Sequence, residues 1–177
     1  MRHLYFDSCY YFVTRSTHNQ EKFFDNDDKK RIILNRLISV QKKFNFSLYA
    51  FSIISSHYHY LIFLENGKLL PKIEQFIAGG SSRELNVLNN ISRSIWDEYW
   101  ETVVDEENLE KVLGYILGNL LKHGEVKDFK ELKNCPFVSY SQAVAQYGEE
   151  MIQDLILSVD ALDLENRTNF EKLFKSL

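Results

Sequence analysis

The sequence predicts an α+β fold: a ferredoxin-like (RRM-like) sandwich with an antiparallel sheet and helices on one face, followed by a helical C-terminal tail. Three observations lead there. Runs rich in β-branched and aromatic residues alternate with amphipathic stretches, in the order βαββα and then a further strand and helix. One strand-like run, "HYHYLIFLE", is apolar on both faces and therefore belongs in the middle of a sheet. The chain has 177 residues, enough for one full hydrophobic core plus an appendage and short for two independent domains.

The elements follow in order. "YYFVTRST" (10–17) has strand composition, and "DNDD" (25–28) supplies N-cap residues ahead of "KKRIILNRLISVQKKF". In that helix Ile33, Leu37 and Val40, or Ile33, Leu34, Leu37 and Ile38, recur at three and four residue steps against a Lys/Arg-rich back. Two strands joined by "SS" come next, "FSLYAFSII" (46–54) and "HYHYLIFLE" (57–65). "NGK" then turns the chain into a helix with Pro71 near its first turn. "AGGSS" (78–82) is expected to interrupt that helix, with Ser81 and Glu84 forming a capping box that starts another. "YWETVVDEEN" (99–108) reads as a strand ending in acidic caps, and "LEKVLGYILGNLLKHG" (109–124) as the clearest helix in the chain.

Residues 1–124 are expected to form the site-bearing domain, and 125–177 an acidic, partly helical extension containing "MIQDLILSVDALDL" and "NFEKLFKSL". The charge divides the same way. Residues 1–124 hold 15 basic and 15 acidic side chains, whereas 125–177 hold 6 and 10, so the net charge of −4 sits in the last third. Cys9 and Cys135 are too few for a disulfide scaffold and lack the paired spacing of a zinc site. With no membrane-span-length apolar run and no signal-peptide pattern at the N-terminus, the expected location is cytoplasmic, with no membrane partner.

Side chains alternate along a strand, so His57, His59, Leu61 and Phe63 share one face of the third strand. Two such residues lie about 6.6 Å apart, a separation at which both imidazoles reach one ion at about 2.0–2.2 Å. The pair also suits two half-buried rings bonded to backbone or water, and two ligands leave a divalent ion short of donors. A third donor is available on the helix from Leu109. Its apolar stripe is Leu109, Val112, Leu113, Ile116, Leu117, Leu120 and Leu121; Tyr115, Asn119 and Lys122 lie off it, on one flank. That flank offers a hydroxyl nucleophile, a neutral oxygen ligand and a cation. A phenol with a pKa near 10 attacks efficiently only beside a cation or metal, which the histidine pair could supply.

Arg15, Arg83 and Lys122 are the candidate phosphate contacts, beside the less specific Arg93, Lys29, Lys30 and Arg31. Trp96, Tyr99 and Trp100 could stack bases or fill the core. "HYHYLIFL" does not match the aromatic signature of RNA-reading sheets.

Taken together, "FVTRST", "HYHYLIFL", "SSREL", "IWDEYWETVVDEENLEKVLGYI" and "CPFVSYSQA" resemble, in order and spacing, the single-tyrosine HUH transposases, in particular the IS200-like and REP-associated tyrosine transposase group, across most of residues 10–148. The resemblance implies that His57 and His59 are metal ligands, that Tyr115 is the nucleophile and that Asn119 stands in the place of the helix-borne third ligand. It also implies Mg²⁺ or Mn²⁺ as cofactor and single-stranded or hairpin DNA as partner. The implied reaction is cleavage and rejoining through a 5′-phosphotyrosine, by a monomer or a homodimer. A relative that binds structured DNA or RNA without cutting it is the alternative. "NLLKHG" lacks the proline common in the family after the asparagine, so the helix is expected to run one turn further.

Overall fold

The computed structural model describes residues 3–159. Four antiparallel strands form one sheet in the order β2-β3-β1-β4, where β1 is Cys9–Ser16, β2 Ser47–Ile53, β3 His57–Leu64 and β4 Trp100–Val104. This is the ferredoxin-like arrangement. The apolar double face of β3 is explained by its place between β1 and β2, where both of its faces are covered.

Register decides which residues meet. Thr14 lies opposite His59, Ser16 opposite His57, and Ser52 of β2 opposite His59 from the other side. One face of the sheet therefore carries Phe12, Thr14, Ser52, His57 and His59; the other carries Val13, Arg15, Tyr58 and Tyr60.

The tyrosine face is covered by α1 (Asp27–Phe44) and by α2 (Leu70–Glu74), which runs through a π-helical turn at Gln75–Gly79 into α3 (Gly80–Leu88). Asn26 caps α1 by accepting from the Lys29 N–H at 3.1 Å, and Asn45 ends it in the left-handed region at φ 51°. Ile32, Ile33, Leu37 and Val40 are its buried apolar residues, while Ile38 is exposed.

The expected break at "AGGSS" does not occur. Gly79 and Gly80 are both helical, and the wide π turn absorbs the extra residue within one continuous helix. Ser81 does not cap. Its hydroxyl donates to the Ala78 carbonyl at 3.2 Å and accepts from the Trp96 indole N–H at 3.0 Å, while Glu84 pairs with Arg36 at 3.0 Å.

The histidine face is covered by α4 (Leu109–Lys122), and α7 (Glu149–Val159) lies behind it. Glycine allows that closeness: a Cβ on Gly118 would stand 2.7 Å from Ile156, and one on Gly114 2.8 Å from the Leu155 carbonyl oxygen. Between them, α5 (Phe129–Asn134) and α6 (Tyr140–Tyr147) bracket a segment that pairs with the outer strand β2. The Ile53 N–H donates to the Phe137 carbonyl at 2.8 Å, the Ser139 N–H to Phe51 at 3.1 Å, and the Phe51 N–H to the Ser139 hydroxyl at 2.9 Å. Part of an otherwise open sheet edge is thereby closed. The tail pattern "MIQDLILSVDALDL" is helical as far as Val159; its remainder and "NFEKLFKSL" lie outside the described residues.

Candidate active site

Strand alternation places His57 and His59 side by side, with ring centroids 4.7 Å apart and planes at 62°. Both are buried, His59 at 1% exposure. The third member comes from α4: Tyr115, 3% exposed, packs edge-on against His59 at 5.5 Å and against Phe12 at 6.2 Å. Lys122, two turns further along the same flank, holds its ammonium 4.9 Å from the centre of the Tyr115 ring. The fourth, Asn119, is 1% exposed. Tyr115 and Asn119 lie off the apolar stripe, as the spacing predicts, yet both are buried: Tyr115 packs on Phe12 and His59 of the sheet, and α7 meets the helix at the neighbouring Gly114 and Gly118.

Two residues that the spacing did not single out complete the cluster. Thr14 places its hydroxyl 2.8 Å from His59 Nδ1. In the tautomer whose Nδ1–H donates to Thr14, Nε2 keeps its lone pair, the form a metal ligand needs. His123, the residue that ends α4, packs its ring edge-on to His57 at 4.8 Å. Thr14 could have been found only from the β1–β3 register, and His123 only from knowing where α4 stops over the sheet. Burial, followed by the nearby His57, His123 and Lys122, holds the His59 imidazole well below its ordinary pKa, so the ring is neutral at physiological pH.

The donors suit a divalent cation. His59 Nε2 and both polar atoms of the Asn119 amide are buried with no hydrogen-bond partner among the described residues, and orphaned polar atoms of this kind are costly unless something satisfies them. Imidazole nitrogen plus a neutral amide oxygen is a mixed set that Mn²⁺ accepts readily and Mg²⁺ tolerates. No three His, Cys, Asp or Glu side chains among the described residues form a ready-made metal group, so the amide is needed to reach three protein donors.

The other predicted contacts do not join this cluster. Arg15 is on the opposite face of the sheet, because it is odd in register with Thr14. Its guanidinium pairs at 3.0 Å with Glu74, itself 1% exposed, which also accepts from Tyr58 at 2.9 Å and Tyr60 at 2.6 Å. Arg15 is thus part of a buried polar network. Arg83 is exposed on α3, also on the tyrosine side. Arg93 pairs with Glu21, Lys29 with Asp25 and Lys30 with Glu125, while Arg31 lies over the Phe137 ring. Trp96 is core, stacked on Phe24 at 5.0 Å, and Trp100 is half-buried against Phe12.

A ferredoxin-like sheet that presents two imidazoles to a tyrosine on the covering helix defines the class of fold and site. Residues 5–119 match the family model described as "Transposase IS200 like", and the chain belongs to that family. Among solved structures, it is similar to a REP-associated tyrosine transposase bound to a REP hairpin, with a TM-score of 0.67 at 19% identity over 85% of this chain and 88% of that one. A candidate transposase from Deinococcus radiodurans R1 aligns with a TM-score of 0.47 at 15% identity, over 66% of this chain and 94% of that one. No curated protein matches the chain. Among the described residues no helix is long and apolar enough to cross a membrane.

Proposed function

We propose that this protein is a metal-dependent transposase that cleaves and rejoins single-stranded, hairpin-associated DNA through a phosphotyrosine on Tyr115, acting in the cytoplasm with Mg²⁺ or Mn²⁺. The observation that carries the reading is the meeting of Tyr115 with His59 at 5.5 Å, with His57, Asn119 and Lys122 around them. Family membership and the hairpin-bound structural neighbour support it.

In this reading His57, His59 and Asn119 would hold the ion, which when bound would supply charge withdrawal at the scissile phosphate. Thr14 fixes the His59 ring so that Nε2 faces inward. Tyr115 Oη attacks phosphorus in line; the bond to the 3′-oxygen breaks, the tyrosine proton is lost and the departing 3′-oxygen gains one. The product is a 5′-phosphotyrosine and a free 3′-hydroxyl. A new 3′-hydroxyl reverses the same steps to join another strand, with no external energy source, because the phosphotyrosyl ester keeps the phosphodiester's free energy. Lys122 holds positive charge beside the developing phenolate and the phosphate. The Tyr115 ring is buried against Phe12 and His59, so substrate entry requires the packing around it to open. That burial favours a second reading, a relative that binds structured DNA or RNA without cutting it.

The test incubates wild type and Tyr115→Phe with single-stranded and hairpin oligonucleotides in Mn²⁺ and maps covalent adducts by mass spectrometry. A metal-dependent adduct on Tyr115, absent from the variant, establishes nucleophile and reaction together. Retention of DNA without an adduct leaves the binding-only reading.

A further inference from the structure

The donors of the proposed metal site stand on two elements far apart in the chain. His57 and His59 belong to β3, Tyr115 and Asn119 to α4, and the helix is seated on the sheet through buried apolar residues such as Val112, Ile116 and Leu120. Apolar packing is non-directional, so it fixes how close the helix lies better than how far it slides along the strand. The slide matters most where α4 stops over the histidine strand, with His123 edge-on to His57.

A directional link stands at that end. Gly124 terminates α4 in the left-handed region at φ 66°, and the Glu125 N–H closes back onto the Leu120 carbonyl at 2.9 Å. Glu125 thereby turns its carboxylate toward the β2–β3 turn, where Oε1 accepts from the Ser55 N–H at 3.1 Å, two residues before His57. The rest of that turn is already committed: the Ile54 N–H donates to the His57 carbonyl at 2.9 Å, and the Ser55 and Ser56 carbonyls accept from Phe24 at 3.0 Å and Thr17 at 2.7 Å. Oε2 of Glu125 accepts from Lys30 in the first turn of α1, and Lys30 has no other carboxylate partner among the described residues.

The link is enclosed. Lys30 and Ser55 are buried, and the Glu125 side chain is 18% exposed. A buried ion pair spends desolvation and often adds no stability over two apolar side chains of the same size. What the carboxylate supplies here that an apolar residue lacks is a fixed acceptor for one N–H of the histidine turn.

We propose that Glu125 is a positioning residue for the metal centre: acting through Ser55, it sets the end of α4 against the turn that leads into His57, while Lys30 holds the carboxylate in place. None of the three touches the ion. The inference rests on the metal-dependent reading above and adds to it a side chain outside the cluster of His57, His59, Tyr115 and Asn119.

Two double variants separate the bond from the charge. Lys30→Met/Glu125→Gln removes the ion pair but leaves an amide oxygen to accept from Ser55, whereas Lys30→Met/Glu125→Leu removes the acceptor as well. Mn²⁺ affinity is measured by titration calorimetry and, without metal, the imidazole signals of His57 are followed in ¹H–¹³C correlation spectra. The Gln variant is expected to keep wild-type affinity and His57 signals. The Leu variant is expected to lose about tenfold in affinity, the scale on which outer supports of metal ligands act, and to shift the His57 signals. Glu125→Asp keeps the charge and shortens its reach by one methylene, so it should also lose affinity, and it carries the test if the Leu variant does not fold. Wild-type affinity and unmoved His57 signals in the Leu or Asp variant overturn the proposal. Equal losses in the Gln and Leu variants do so too, since they would make the charge pair a structural feature alone. If the wild type binds no Mn²⁺, the metal reading fails separately, and the metal-free His57 signals decide the role of Glu125.

Discussion

His59 and Tyr115 meet edge to face, their ring centroids 5.5 Å apart and their planes at 66°. One stands in the centre of the sheet and the other on the helix that covers it, so their separation is set by how α4 seats on β3. If His57 and His59 form a divalent site there, Mn²⁺ at a hundred times its Kd stabilises the fold by about 2.7 kcal/mol, an increase of several degrees in Tm. His59→Ala and His57→Ala are each expected to abolish that increment and the metal-dependent cleavage together. A Mn²⁺-induced shift that persists in either variant, read by differential scanning calorimetry, refutes the assignment.

Tyr115→Phe removes only a hydroxyl and keeps the ring that packs on Phe12 and His59. Its Tm is expected to stay within a few degrees of wild type while adduct formation vanishes. A Tm loss comparable to a core truncation would instead make the hydroxyl structural.

Lys122→Ala takes the ammonium from above the Tyr115 ring. The expected result is slower cleavage at unchanged Mn²⁺ affinity, on the order of tenfold or more if the cation stabilises the phenolate and phosphate. Single-turnover rates decide it; an unchanged rate reduces Lys122 to a solvated helix residue.

Glu74 accepts from Arg15, Tyr58 and Tyr60 while almost wholly buried. Glu74→Ala strands all three donors and is expected to cost about 3–5 kcal/mol in urea unfolding. Glu74→Gln keeps an acceptor and should cost less. Equal losses for the two would show that packing, not hydrogen bonding, is what Glu74 supplies.

Burial alone would raise the Glu125 pKa, but hydrogen bonds from Lys30 and Ser55 outweigh it and hold the carboxyl below its ordinary 4.5. A depressed folded-state pKa gives stability that is present above pH 4.5 and disappears as pH falls through the folded value. Glu125→Gln should therefore weaken the fold at neutral pH and flatten its acid limb below pH 5, as followed by unfolding at several pH values. Parallel acid limbs in the two proteins would place the titration elsewhere.

The distances between sequence and structure have specific causes. Strand alternation alone put His57 and His59 on one face, and helix periodicity alone put Tyr115, Asn119 and Lys122 on one flank, because both periods are properties of the local backbone. The break expected at "AGGSS" failed for the converse reason: glycine permits a turn but does not compel one, and the hydroxyl of Ser81 was taken by Trp96, a partner fifteen residues away. Arg15 shows the same limit. Its residue type suits a phosphate, but register turned it toward Glu74.

By itself, then, the sequence determined the four strands, helices α1 and α4, the resemblance to the IS200-like transposases and the two groups of candidate residues, since each is written in short-range spacing or motif order. Only the tertiary structure decided that the two groups meet, that Thr14 and His123 join them and that the tyrosine is buried. It also decided that the Glu125 carboxylate reaches Ser55 in the turn before His57. Those are contacts between segments far apart in the chain, and they follow from which faces must be buried against which, a choice that no local period encodes.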